Sequence, residues 1–246
     1  EWRWAMGLLK ELRAKGLLPD AITFSALISA CTKGQQWQLA MAIFEEARAG
    51  QCAPNLVVCN ATISACHRGS RWLDALHLMR AVERAGLTPD EVMHSVVIST
   101  CGRSRKWELA LALLQWMPGK GVLPNLITYN AAISACERGS KPTLALRLLR
   151  EVQARKFAPD VIMYSSVMSA CEKVQQWGQV LQLLQRVQSN ELSPDIVMYS
   201  AAISACEKVQ QWDRALGLLQ ELRDRRLTPN EITLNSVISA CEKGQQ

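Results

Sequence analysis

Residues 124 to 140 read Pro-Asn-Leu-Ile-Thr-Tyr-Asn-Ala-Ala-Ile-Ser-Ala-Cys-Glu-Arg-Gly-Ser, and the pattern returns when the window is moved 35 residues in either direction. Working outward, prolines recur at Pro19, Pro54, Pro89, Pro124, Pro159, Pro194 and Pro229 without insertion or deletion. An undrifting period of this length is the signature of a stacked array of like units, each too small to bury its own apolar face. It predicts one array over residues 1–246: a partial repeat 1–20, full repeats 21–55, 56–90, 91–125, 126–160, 161–195 and 196–230, and a partial repeat 231–246.

Within a repeat the apolar spacing is helical. Phe24, Leu27, Ile28 and Cys31 follow the i, i+3, i+4, i+7 rule for one buried stripe. Trp37, Ala40, Met41, Phe44 and Ala47 form a second stripe in the same repeat. Helices are therefore expected over Ala21–Lys33 and Trp37–Ala49, with Gly34 breaking the first and Gly50 the second. The same plan throughout gives an all-α chain of about fourteen helices in helix-turn-helix pairs. Two places depart from it. Pro142 stands where other repeats carry Trp, but at a helix start, where its missing N–H is not needed. Pro118 falls near a helix end and should stop that helix early.

Composition excludes several classes. Hydrophobic residues make up 49% of the chain, enough for a core, and no apolar run approaches the roughly 18 residues of a membrane span, so a soluble protein is expected. Seven of the nine cysteines recur one per repeat, with no Cys-x-x-Cys pair and no clustered histidine. They read as small buried hydrophobes, neither a zinc site nor a disulfide framework. No nucleophile–base pair, paired-carboxylate site or phosphate loop stands out, so neither catalysis nor a cofactor is expected. Residue 1 is Glu and Trp2 is in register with Trp37, so the chain reads as a fragment that opens in mid-repeat, with any targeting peptide upstream.

The other face of the first helix is ordered just as strictly. Its first column is β-branched: Ile22, Val57, Val92, Ile127, Ile162, Val197 and Ile232. The second takes only two values: Ser25, Asn60, Ser95, Asn130, Ser165, Ser200 and Asn235. The third is always Ser, at 29, 64, 99, 134, 169, 204 and 239. The fourth is basic: Lys33, Arg68, Arg103, Arg138, Lys173, Lys208 and Lys243. Steps of 3, 4 and 4 residues at about 100° keep the four columns within about 80° of one another. A merely solvated face would vary more freely. A base in the last turn also opposes the helix dipole, but that explains neither Ser nor Ile. Positive charge, small polar groups and apolar wedges in register suit single-stranded nucleic acid. A fifth column closes each repeat: Asp20, Asn55, Asp90, Asn125, Asp160, Asp195 and Asn230. Asp and Asn are good N-caps for the helix that follows, so capping and ligand reading both remain open here.

The 35-residue period, the run Ile127-Thr-Tyr-Asn-Ala-Ala-Ile-Ser-Ala-Cys136 and the closing Pro-Asp or Pro-Asn resemble the pentatricopeptide repeat family in its P-type form, over the whole chain. The resemblance implies a right-handed α-solenoid that binds single-stranded RNA one base per repeat, with the RNA 5′ end towards the protein N-terminus. It implies that the β-branched column sandwiches bases, that the basic column meets phosphates, and that the second and fifth columns together read each base. Residue by residue, Ser25 with Asn55 implies A, Asn60 with Asp90 U, Ser95 with Asn125 A, Asn130 with Asp160 U, Ser165 with Asp195 G, and Ser200 with Asn230 A. A site near 5′-AUAUGA-3′ is expected, followed by a pyrimidine if Asn235 acts. Seven phosphate contacts predict a salt slope of about −5, from about −0.7 per contact. The resemblance further implies organellar RNA processing, stability, splicing or translation in a plastid or mitochondrion, with any catalysis supplied by protein partners. Cys59, His94 and Leu234 depart from the family's usual Tyr, which bears on local packing. The alternative from another class is a protein-interaction scaffold.

Overall fold

The computed structural model describes residues 2–49, 55–190 and 192–244. Gly50, expected to end a helix, and Pro54 lie outside the described residues. The first helices of the repeats are α2 (Ala21–Lys33), α4 (Leu56–Arg68), α6 (Glu91–Arg103), α8 (Leu126–Arg138), α10 (Val161–Lys173), α12 (Ile196–Lys208) and α14 (Glu231–Lys243). The second helices are α1 (Trp2–Ala14), α3 (Trp37–Ala49), α5 (Trp72–Arg84), α7 (Trp107–Trp116), α9 (Pro142–Ala154), α11 (Trp177–Ser189) and α13 (Trp212–Asp224). The expected helix bounds and the expected fourteen helices are observed, and no strand occurs among the described residues.

The two proline exceptions behave as their chemistry requires. Pro142 is the first residue of α9, where no intrahelical N–H is called for. Pro118 removes a donor near the end of α7, which closes after ten residues and passes into a 3₁₀ turn over Met117–Lys120.

The chain forms two compact bodies, Glu1–Ala135 and Cys136–Gln246. In the first, α4 packs on α2 and α6, and also on α3 and α5. In the second, α12 packs on α10 and α14, and also on α11 and α13. Within each body, α4 and α12 thus touch the first helices of their neighbouring repeats and the second helices on either side of them. This is how a short hairpin with two apolar stripes buries what it cannot cover alone.

The cores are largely the predicted stripes. Phe24, Leu27, Ile28 and Cys31 are buried, as are Ala40, Phe44 and Ala47. The second-helix stripe needs one correction, because Trp37 and Met41 are only half-buried while Ile43 is buried. Trp37 lies instead against the end of the next first helix. A Cβ on Gly69 would come 2.7 Å from its ring, and the same collision would join Gly34 to Trp2 and Gly244 to Trp212. In these three repeats the glycine after the first helix therefore makes room for an indole. The helix ends where Gly34 is expected to break it, with Gly34 as its C-cap at φ −76°, and the left-handed residue is the next one, Gln35 at φ 60°. Ser70, Arg105, Ser140, Gln175 and Gln210 occupy the same left-handed position in later repeats.

Six of the repeated cysteines are fully buried, and Cys241 is half-buried. None of the eight described cysteines is in a disulfide. Burial raises the Cys66 thiol to about 12 and the Cys101, Cys136 and Cys171 thiols to about 11. Among the described residues no helix is long and apolar enough to cross a membrane, and no group of three or more His, Cys, Asp or Glu could hold a metal ion.

The residues at the Tyr position show what the ring does. Tyr164 and Tyr199 are fully buried, the first accepting from Gln153 Nε2 and Asn190 Nδ2 at 3.2 Å and the second donating to Glu221 Oε1 at 2.7 Å. Burial, then the bond to Glu221, pushes the Tyr199 phenol upward. With Cys59 in place of the ring, a cavity of about 220 Å³ remains beside Phe44, Leu78 and Val82.

Candidate nucleic-acid interface

The first helices carry four columns of side chains, and helix geometry places the members of each at matching turns. Every residue of the β-branched column is exposed, from 48% at Val197 to 77% at Ile22. Burying an aliphatic side chain of this size is worth about 1.5–3 kcal/mol, so seven exposed members in register forgo a stabilisation that the rest of the helix captures. All seven basic side chains are exposed as well.

The fifth column caps the helices throughout. Asp20 Oδ1 accepts from the Thr23 N–H at 2.7 Å, and Asn55, Asp90, Asn125, Asp160, Asp195 and Asn230 accept likewise from the residue three further on, at 2.7–2.9 Å. The backbone and hydroxyl bonds from Thr23 lower the Asp20 carboxyl. Capping occupies one oxygen of each side chain and leaves the second polar atom for another partner. At Asp90 that partner is Asn60, whose Nδ2 donates to Oδ2 at 3.0 Å. Asn60 Oδ1 is buried and has no hydrogen-bond partner. The pair therefore keeps one unsatisfied acceptor, Asn60 Oδ1, complementary in kind to a ring N–H but shielded in the protein alone.

The remaining second-column residues differ among themselves. Ser200 is linked to Asn230 through Thr233: its Oγ lies 2.7 Å from Thr233 Oγ1, which donates to Asn230 Oδ1 at 2.7 Å. Ser95 Oγ donates back to the Val92 carbonyl at 2.8 Å. Ser25 and Ser165 are half-buried and Asn235 is exposed. Asn130 lies in the first body and Asp160 in the second.

The Ser column has structural partners that the sequence reading did not find. Ser64 Oγ donates to the Asn60 carbonyl at 2.9 Å, and Ser204 meets Ser236 at 3.1 Å. Ser169 and Ser239 donate to carboxylates, Glu137 Oε1 at 3.2 Å and Glu207 Oε1 at 2.8 Å. The same carboxylates take bases from the fourth column. Lys173 Nζ lies 2.8 Å from Glu137, while Lys243 and Lys208 lie 2.7 and 3.2 Å from Glu207. Three of the seven bases thus already have a carboxylate partner within the protein. Burial by itself would raise the Glu207 carboxyl, but hydrogen bonds from Lys243, Ser239 and Lys208 outweigh it and hold the group below the usual range. Glu172 is different: burial raises it, and Lys173 offsets only part of the effect. The signal was present in the sequence, since Glu precedes the base in the last four repeats.

Family models confirm the periodic reading. The pentatricopeptide repeat domain model matches residues 7–68 and 147–208, a PPR repeat family model matches 89–138 and 194–243, and a PPR repeat model matches 127–157. No curated protein sequence gives a match. Among solved structures, the chain is similar to the pentatricopeptide repeat protein PPR10 from maize, with a TM-score of 0.70 and 24% identity over 96% of this chain and 34% of that one. It is also similar to PPR10 in complex with an 18-nt psaJ RNA element, at TM-score 0.61 and 17% identity over 100% of this chain and 42% of that one. The PPR domain of Arabidopsis thaliana protein-only RNase P 1 in complex with tRNA matches at TM-score 0.66 and 16% identity, over 73% of this chain and 95% of that domain. The chain spans between a third and a half of the length of the PPR10 chains it matches. Identity at this level speaks for the fold, an all-α solenoid of helical hairpins. With family models covering most of its length, the chain belongs to the pentatricopeptide repeat family.

Proposed function

We propose that this chain binds single-stranded RNA, one base per repeat, at a site near 5′-AUAUGA-3′. It acts in organellar RNA metabolism, in a plastid or mitochondrion, and any cleavage or editing is supplied by protein partners. The observation that carries the reading is the exposed β-branched column, Ile22 and its six equivalents. A base stacked between two such side chains recovers the apolar contact that the protein alone leaves unmade. The unsatisfied acceptor Asn60 Oδ1 is complementary in kind to the ring N–H of U, and two of the similar solved structures contain RNA.

Fluorescence anisotropy tests this directly, with RNA containing 5′-AUAUGA-3′ against the same RNA with A and U exchanged. A clear preference for the first, weakened by salt, is the expected result. If a demonstrably folded protein binds neither RNA, the reading passes to a protein-interaction scaffold.

A further inference from the structure

The basic column is uniform in sequence but not in its surroundings. Lys33, Arg68 and Arg103 follow Thr32, His67 and Gly102, none of which is a carboxylate. The four later bases follow Glu137, Glu172, Glu207 and Glu242. Among the described residues Lys33, Arg68 and Arg138 make no ion pair, and Arg103 has only a 3.4 Å contact with His67 Nε2. Lys173, Lys208 and Lys243 are each held by a carboxylate at 2.7–3.2 Å.

Two observations make these pairs more than passing surface contacts. The Glu207 side chain is only 9% exposed and accepts from Ser239 as well as from both lysines. A carboxylate removed from water in this way loses its compensation if its lysines swing towards a phosphate. Glu137 likewise accepts from Ser169 and Lys173 together. At the other end, Gly102 cannot be replaced by Glu without rearrangement, because a Cβ there would lie 2.8 Å from Ala135 Cβ and 3.0 Å from its Cα.

We infer that the phosphate grip is polarised along the array: Lys33, Arg68, Arg103 and Arg138 engage the RNA backbone, while Glu137 and Glu207 withhold Lys173, Lys208 and Lys243 from it. The inference rests on the RNA-binding reading and refines it. The later repeats then contribute base contacts with little phosphate attraction, and Glu137 and Glu207 act as specificity-determining residues. Like charge beside the later phosphates penalises an RNA held by its backbone alone, which raises the relative weight of base contacts.

The test is the salt dependence of binding by the whole chain, as Glu137→Gln and Glu207→Gln singly and combined. With about −0.7 per phosphate contact, four contacts predict a slope of about −3 for the parent chain. Releasing three lysines predicts a slope of about −5 for the double variant, with binding at low salt tighter by about tenfold. A parent slope near −5, unchanged in the variants, shows that phosphates displace the carboxylates and overturns the inference while RNA binding stands. Failure of the folded parent to bind any RNA overturns the functional reading and this inference with it. A second readout needs no RNA: N-acetoxysuccinimide should acetylate Lys33 faster than Lys173 and Lys243, and the Gln variants should remove the contrast. Equal rates in the parent chain would contradict the pairing.

Discussion

A left-handed residue that is not glycine sits after the first helix in six repeats, and Gln35 and Gln210 are two of these. The conformation costs an L-residue about 1–2 kcal/mol, partly offset by the unfolded-state freedom that glycine adds. Gln210→Gly should therefore raise stability by about 0.5–1 kcal/mol in urea denaturation, and an unchanged midpoint would count against the strain. One residue earlier the sign reverses. Gly69→Ala drives a methyl into the Trp37 ring and should cost about 1–3 kcal/mol, a loss that Trp37→Leu in the same chain should partly relieve. Sequence alone assigned the break to Gly34 because glycine is the common helix terminator. The helix does end there, but the same residue also leaves room for Trp2, which stands 32 positions earlier and becomes its neighbour only when hairpins stack.

At the scale of the helix, the closing Asp or Asn holds two functions that the structure lets one separate. Asp195 caps α12 through Oδ1, so Asp195→Ala should cost about 1 kcal/mol. Asp195→Asn keeps that acceptor and should leave stability within about 0.5 kcal/mol while moving the preferred fifth base from G to A in the anisotropy assay. If the Asn variant keeps its preference for G, this residue is a cap and nothing more. Packing offers a parallel case in the first body. Cys59→Tyr would place a ring in the cavity beside Phe44 and should stabilise the chain by about 1 kcal/mol, read as a higher thermal midpoint. Helix bounds were legible to the residue because caps, prolines and apolar stripes all repeat in phase. The ion pairs were not, because Glu137 and Lys173 are 36 residues apart and meet only through the packing of successive first helices.

For the molecule as a whole, four of the repeated thiols shape its response to alkali. The folded values of Cys66, Cys101, Cys136 and Cys171 lie near 11 to 12 against 9.0 unfolded, so the folded chain holds protons that the unfolded chain releases. This contribution is fully present below pH 9 and is lost as pH rises towards 11–12, by up to about 1.4 kcal/mol per thiol for each pH unit. The urea midpoint should fall steeply over that range, and replacing Cys101 and Cys171 by Ala should flatten the fall. Glu207 acts with the opposite sign: its lowered value contributes stability above pH 4.5 that disappears as pH falls through the folded value. A buried thiol is also a poor nucleophile, since alkylation needs thiolate and access together. Each of these cysteines consequently reacts only while its own repeat is open, and Cys241, half-buried, is already accessible. Pulse alkylation followed by mass spectrometry would read the opening frequency of one repeat after another along the chain, a set of clocks supplied by the natural sequence.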